Sequence, residues 1–319
     1  MFALVSLEPR VSTTLYHRDP EAVTLGGLFL LLFAVNLWTA GVSLLYEPLS
    51  VALPRPLGDP FLLGPILVHG LGTLLATVVY LRVTGVSLSL GLPTHDRETG
   101  AVTPFLSVGL VAIGALVAHG LLGSSVSEVV RSSYGASMSV AFLAWVTLVP
   151  AVFAALAYGL LYLGAVQRTL RELVDPGHAV GLTVFVVGIV RAMDPPSLAR
   201  PSPESLGLFL LLALVAAAVG FTAGIAYRGA GATDPKTVVR GWYVPVLVVG
   251  VVGIVGVATE FTAATTLLRW GLYVGTVAVA AYAHERTASL WVGVVTLFCY
   301  HVAVNVAVYL EAMGGVGTF

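Results

Sequence analysis

The chain has 319 residues, 58% of them hydrophobic and only 10% charged, with a mean hydropathy of +0.97 and a formal net charge of −1. Such a composition cannot clothe a water-soluble protein in polar surface, so it reads as a polytopic membrane protein. The 15 basic and 16 acidic residues fall almost entirely in connections and form no basic stripe, which leaves no footprint for a nucleic-acid partner.

Apolar runs lie near 22–45, 60–82, 103–123, 138–165, 178–193, 205–227, 242–258, 264–283 and 287–311. A helix of roughly 20 apolar residues crosses about 30 Å of hydrocarbon, so the expected fold is all-α, a transmembrane helix bundle of about nine spans. The runs at 178–193 and 242–258 are the shortest. Residues 1–21 carry charge but no apolar h-region, which predicts no cleavable signal peptide and leaves the first span as the targeting signal. Asp19-Pro20-Glu21 has the pattern of a helix start, with proline in the first turn.

The distribution of basic residues sets the expected orientation. Arg10, Arg18, Arg82, Arg97, Arg168, Arg171, Arg228, Lys236, Arg240 and Arg286 fall on one side of a nine-span chain, against Arg55, Arg131, Arg191, Arg200 and Arg269 on the other. The amino terminus is therefore expected in the cytoplasm and the carboxyl terminus outside. Cys299 is the single cysteine; it reads as a small buried apolar residue and excludes an internal disulfide.

Asn36 in the first span reads as an amide bonded to a neighbouring helix. His69 in the second span and His119 in the third are candidate haem or metal ligands by residue type. No second pair, carboxylate or His-x-x-x-His accompanies them, so hydrogen bonding inside the bundle is the simpler expectation. Gly220-x-x-x-Gly224 in the sixth span permits close helix packing.

A more specific pattern begins after the second span, with Y-L-R-V-T-G-V-S-L-S-L-G-L-P-T-H-D-R-E-T-G. It continues in a Pro150-led helix, V-P-A-V-F-A-A-L-A-Y-G-L-L-Y, a basic stretch with Gln167, Arg168, Arg171 and Glu172, a helix holding Phe185, and W-Y-V-P-V-L-V-V-G-V-V-G. In order and spacing this resembles the CAAX-protease and bacteriocin-processing family of intramembrane proteases, over about residues 60–256. That family carries Glu-Glu-x-x-x-Arg-Gly, Phe-x-x-x-His and His-x-x-x-Asn on successive helices, where carboxylates and imidazoles activate a water directly or around a metal. Charged groups at membrane depth cost roughly 2.5–3.5 kcal/mol each on insertion scales, so they persist for function.

Here the polar groups are replaced. Phe153 and Ala154 stand at the glutamate positions and Tyr158 at the arginine. Phe185 keeps the motif phenylalanine, but Ile189 replaces the histidine after it, and Val249 and Gly253 replace the last histidine and asparagine. The end of the chain, A-H-E-R-T-A-S-L-W followed by Y-H-V-A-V-N, is similar to a second copy of the family's terminal segment. His301 and Asn305 there share a helix face, although the family spacing from Arg286 would place the histidine at Leu297.

The organisation expected from this is a tail at 1–21, a membrane core at 22–256 resembling the family, and an added helix pair at 257–319 packed on it. The resemblance implies a non-catalytic relative, embedded in the lipid bilayer, that binds a membrane peptide, a lipidated chain or a partner helix where the active site would have been, with no cofactor. The alternative is an active intramembrane endopeptidase with a relocated site at His301 and Asn305, Glu260 or Glu285 as base, and zinc as its metal. Glu285 lies sixteen residues from His301, about 24 Å of helical rise, which leaves Glu260 as the better candidate. A transporter is a third reading.

Overall fold

The computed structural model describes residues 20–54, 60–86, 88, 90–93, 95–132, 134, 139–192 and 263–314. Among these all regular structure is helical. We number the helices in chain order: α1 (Pro20–Ala52); α2, made of Pro60–Pro65, Ile66–Leu74 and Leu75–Thr84; α3 (Arg97–Leu121); the short α4 (Val126–Val130); α5, made of Val140–Tyr158, Gly159–Gln167 and Arg168–Arg171; α6 (Pro176–Ala192); α7 (Ala264–Thr287); and α8 (Leu290–Gly314).

Five of these, Leu63–Thr84, Arg97–Leu121, Val140–Arg171, Ala264–Thr287 and Leu290–Gly314, are long and apolar enough to cross a membrane, the pattern of a multi-pass membrane protein. Shorter apolar helices lie at Thr24–Thr39 and Pro176–Arg191. The spans expected at 205–227 and 242–258, with Gly220 and Gly224, lie outside the described residues, so the expectation of nine rests on the sequence alone.

Helix α3 shows how the bundle sorts its side chains. Thr103, Ser107, Val111, Gly114 and Ala118, spaced three or four apart, are buried along one stripe, while Phe105, Leu106, Ile113, Leu116 and Leu121 are exposed on the other side. Small residues face inward and bulky apolar ones outward, the reverse of a water-soluble helix and the arrangement suited to lipid on the outer face. The inner stripe lets backbones approach: a Cβ on Gly114 would lie 2.6 Å from Leu272 Cδ1.

Helices α7 and α8 sit at the centre of the described bundle. They pack on each other, both pack on α3, α7 packs on α6, and α8 packs on α5. Val277, Ala280, Ala281 and Leu297 are fully buried between them and their neighbours. At Gly293 α5 comes close to α8: a Cβ there would fall 2.1 Å from Leu163 Cδ1.

Polar side chains fix the connections. Asp96 caps α3 in the left-handed region (φ 44°), its carboxylate accepting from Thr99 N at 3.3 Å and from Arg286 Nε at 3.1 Å. Ser289 Oγ donates to Gly91 O at 2.8 Å and Trp291 Nε1 to Leu90 O at 2.9 Å. The linker after α2 is thereby tied to the α7–α8 turn, so two stretches that drew attention in the sequence for the same resemblance are partners in space. Between α5 and α6, Asp175 accepts from Gly177 N and His178 N at 3.1 and 3.2 Å, with Pro176 in the first turn.

Candidate functional site in the bundle interior

Two helices depart from α geometry, and both departures lie at the same place. Ile66–Leu74 in α2 and Gly159–Gln167 in α5 are π-helical, a local widening that occurs disproportionately at functional sites. A π turn shifts hydrogen bonds by one residue and frees main-chain groups, which inside a membrane must find other partners. Thr73 Oγ1 donates to Val68 O, five residues back, at 3.1 Å, and Trp38 Nε1 of α1 donates to Leu67 O at 2.9 Å. Gly70 and Gly72 make the approach of neighbours feasible: a Cβ on Gly72 would lie 1.9 Å from the Trp38 ring, and one on Gly70 3.2 Å from Phe153 Cδ1.

His69 sits in the first π segment, and its ring meets Tyr158 edge-on at 5.1 Å between centroids. Tyr158 stacks on Tyr162 at 5.4 Å and meets Tyr273 of α7 at 6.1 Å. Tyr273 in turn contacts Tyr300 at 5.8 Å and His301 at 6.5 Å, both from α8. The Arg191 guanidinium, from the end of α6, lies 4.9 Å over the Tyr273 ring, a cation–π arrangement. It is also within electrostatic range of His69, Tyr300 and His301. Six aromatic rings and one guanidinium from five helices thus form a continuous polar and aromatic cluster, near the midpoints of α7 and α8.

Three polar atoms of this cluster, His69 Nδ1, Tyr273 OH and His301 Nε2, are buried without a hydrogen-bond partner among the described residues. Tyr273 is only 4% exposed. A buried polar group left unsatisfied costs about 1–3 kcal/mol, so three in one cluster mark a place shaped by something other than stability.

Of the degenerate motif positions, Tyr158 joins the cluster directly and Phe153 packs on Gly70, next to His69. Ala154 is buried and Ile189 half-buried, two residues before Arg191, whereas Phe185 is 45% exposed and turned away from the interior. Val249, Gly253 and Glu260 lie outside the described residues.

His69 and His119, expected to form hydrogen bonds inside the bundle rather than to ligate haem or a metal, have separate surroundings. His119 Nε2 is 2.8 Å from Glu311 Oε1, whose carboxylate also accepts from Val126 N at 2.7 Å and Ser127 N at 2.9 Å. Glu311 is ten residues along α8 from His301, about 15 Å of rise, so His119 and His69 belong to different parts of the bundle. Asn305 Nδ2 donates to His301 O at 2.8 Å while its Oδ1 accepts from Tyr134 OH. Its amide thus holds the loop before α5, and the shared face of His301 and Asn305 joins side chain to main chain rather than side chain to side chain. Glu285 is held by Arg171 Nη1 at 2.6 Å and Gln167 Nε2 at 3.3 Å. Among the described residues no group of three or more His, Cys, Asp or Glu side chains is placed to hold a metal ion.

Outside the spans, the hydrogen bond from Thr99, followed by the Arg286 guanidinium, holds the Asp96 carboxyl below the usual carboxylate range. His178 does the same for Asp175.

Sequence reasoning missed Tyr162, Tyr273, Tyr300 and Arg191 as members of a site. Tyr300-His301 in mid-span and a charged residue at the end of a short apolar helix were the available signals. A scan against protein-family models, a search of curated proteins and a search of solved structures each found no match to this chain.

Proposed function

We propose that the protein is a non-catalytic relative of the CAAX-protease and bacteriocin-processing intramembrane proteases, which binds a lipidated chain, a membrane peptide or a partner helix at the cluster around Tyr158. The observation that carries this reading is the position of Tyr158. It stands where the family motif has its arginine, and its ring is packed between His69, Tyr162 and Tyr273. A phenol surrounded by rings can grip and orient a ligand, while the neighbouring Phe153 and Ala154 supply no carboxylate with which to activate water.

The test is peptide cleavage in liposomes by wild type, His301→Ala and Glu260→Gln. The expected result is no cleavage by any of them, with photo-crosslinking of a farnesylated peptide to a probe placed at Phe153. Cleavage by wild type that both substitutions abolish would establish the relocated protease instead, a reading favoured by the unpartnered Nε2 of His301. Purified protein is expected to bind no stoichiometric zinc on the first reading and one zinc on the second. A transporter has one observation in its favour, the pairing of interrupted helices with buried polar groups.

The proposed orientation has the amino terminus in the cytoplasm and the carboxyl terminus outside. In a Cys299→Ser background, a cysteine at Arg168 is expected to react with an impermeant label from the cytoplasmic side and one at Arg200 from outside. The reverse labelling would overturn the orientation.

A further inference from the structure

The three unpartnered atoms share a chemical preference. An imidazole N–H and a phenol O–H both donate hydrogen bonds to an anionic oxygen, and bonds to charged acceptors are roughly twice as strong as neutral ones. Arg191, over the face of Tyr273, adds a positive charge at the same place, where a low dielectric strengthens its effect. His69 and His301 are each partly buried as residues, but their unpartnered nitrogens are themselves buried, as is Tyr273, so the donors sit in the interior of the bundle.

The surroundings indicate what carries such an anion. The cluster lies at mid-span in a bundle whose described outer faces are apolar, so the ligand suited to it is one that partitions into the bilayer. An extended peptide would bring main-chain groups that need a strand edge, and the described residues form only helices. An acyl chain brings no such groups, and its one polar end would satisfy the unpartnered atoms.

We propose that the His69–Tyr273–His301 cluster binds the carboxylate end of an acyl-chain amphiphile, with Arg191 opposing its charge. This rests on reading the cluster as a binding site. It goes further by naming the ligand's end group.

The experiment measures equilibrium binding of radiolabelled oleate and of oleyl alcohol, which has the same chain without the charge, to the full-length protein in detergent. Oleate is expected to bind about tenfold more tightly or better, as a charged hydrogen bond allows. Tyr273→Phe removes only the hydroxyl and is expected to cut that preference about threefold or more; Arg191→Gln is expected to nearly abolish it. Tyr273→Phe decides the matter should Arg191→Gln fail to fold. Equal affinity for the two probes, no binding of either, or a preference unchanged in Tyr273→Phe would overturn the proposal. If oleate fails in any of these ways while the farnesylated peptide still crosslinks at Phe153, the carboxylate inference falls and the binding reading stands.

Discussion

Gly293→Ala tests the packing on which the interior cluster depends. The new methyl would sit 2.1 Å from Leu163 Cδ1 and 3.3 Å from Ala280 O. Carbon atoms rest about 3.5–4.0 Å apart, so the Leu163 methyl must retreat by about 1.4 Å or more. Leu163 is fully buried within the π segment of α5, so its methyl can retreat only by changing rotamer among buried neighbours, while the carbonyl belongs to helix backbone that yields less readily. Overpacking of this kind costs about 1–3 kcal/mol. Replacing glycine in a helix returns about 1 kcal/mol, so the net expectation is a loss of about 0–2 kcal/mol. Reversible unfolding in mixed detergent, followed by tryptophan fluorescence, measures it. Leu163→Ala alone should cost about 2–5 kcal/mol through its cavity. The double variant should cost less than the sum of the two by about 1 kcal/mol or more, because each change relieves the defect left by the other. Strict additivity, or a stabilising Gly293→Ala, would refute the close approach of α5 and α8.

At the other end of α8, Glu311 accepts two main-chain N–H bonds and faces His119, so Glu311→Gln is expected to destabilise by about 1–3 kcal/mol. His119→Ala, at a side chain 38% exposed, should cost less than about 1 kcal/mol; equal losses in the two variants would show that the contact with His119 rather than the main-chain cap is what matters. Asp96 has a depressed carboxyl pKa, so its contribution is fully present above the ordinary value of 3.8 and is lost as pH falls through its lower folded value. Asp96→Ala should therefore flatten the acid limb of the stability profile below about pH 4 and leave the slope above about pH 5 unchanged; an identical acid limb in the variant would disprove the linkage.

Apolar runs told from the sequence where the described helices lie. The expected spans at 60–82, 103–123, 264–283 and 287–311 correspond to α2, α3, α7 and α8, because twenty apolar residues between charged turns have few other options in a bilayer. The Asp19-Pro20-Glu21 pattern was an equally local signal, and α1 begins at Pro20, since a cap and its helix are neighbours in the chain. The single basic stretch after Gln167 likewise marked the turn between α5 and α6.

What the sequence could not convey was which helix face meets which. In these spans Leu, Val and Ala occur all round the helix, so hydrophobic periodicity carries little directional information, and the inward side is set by where glycine and alanine permit contact. That is why the sequence did not tell that Phe185 is exposed, or that His69 and His119, alike in the sequence, part company between a ring cluster and Glu311. The cluster itself depends on two π-helical shifts, each of which re-aims every side chain beyond it by the angle of one residue. No local propensity encodes such a shift. It becomes favourable only once Trp38 satisfies the Leu67 carbonyl and Gly72 makes room for the indole, contacts between residues that lie 29 or more apart in the chain.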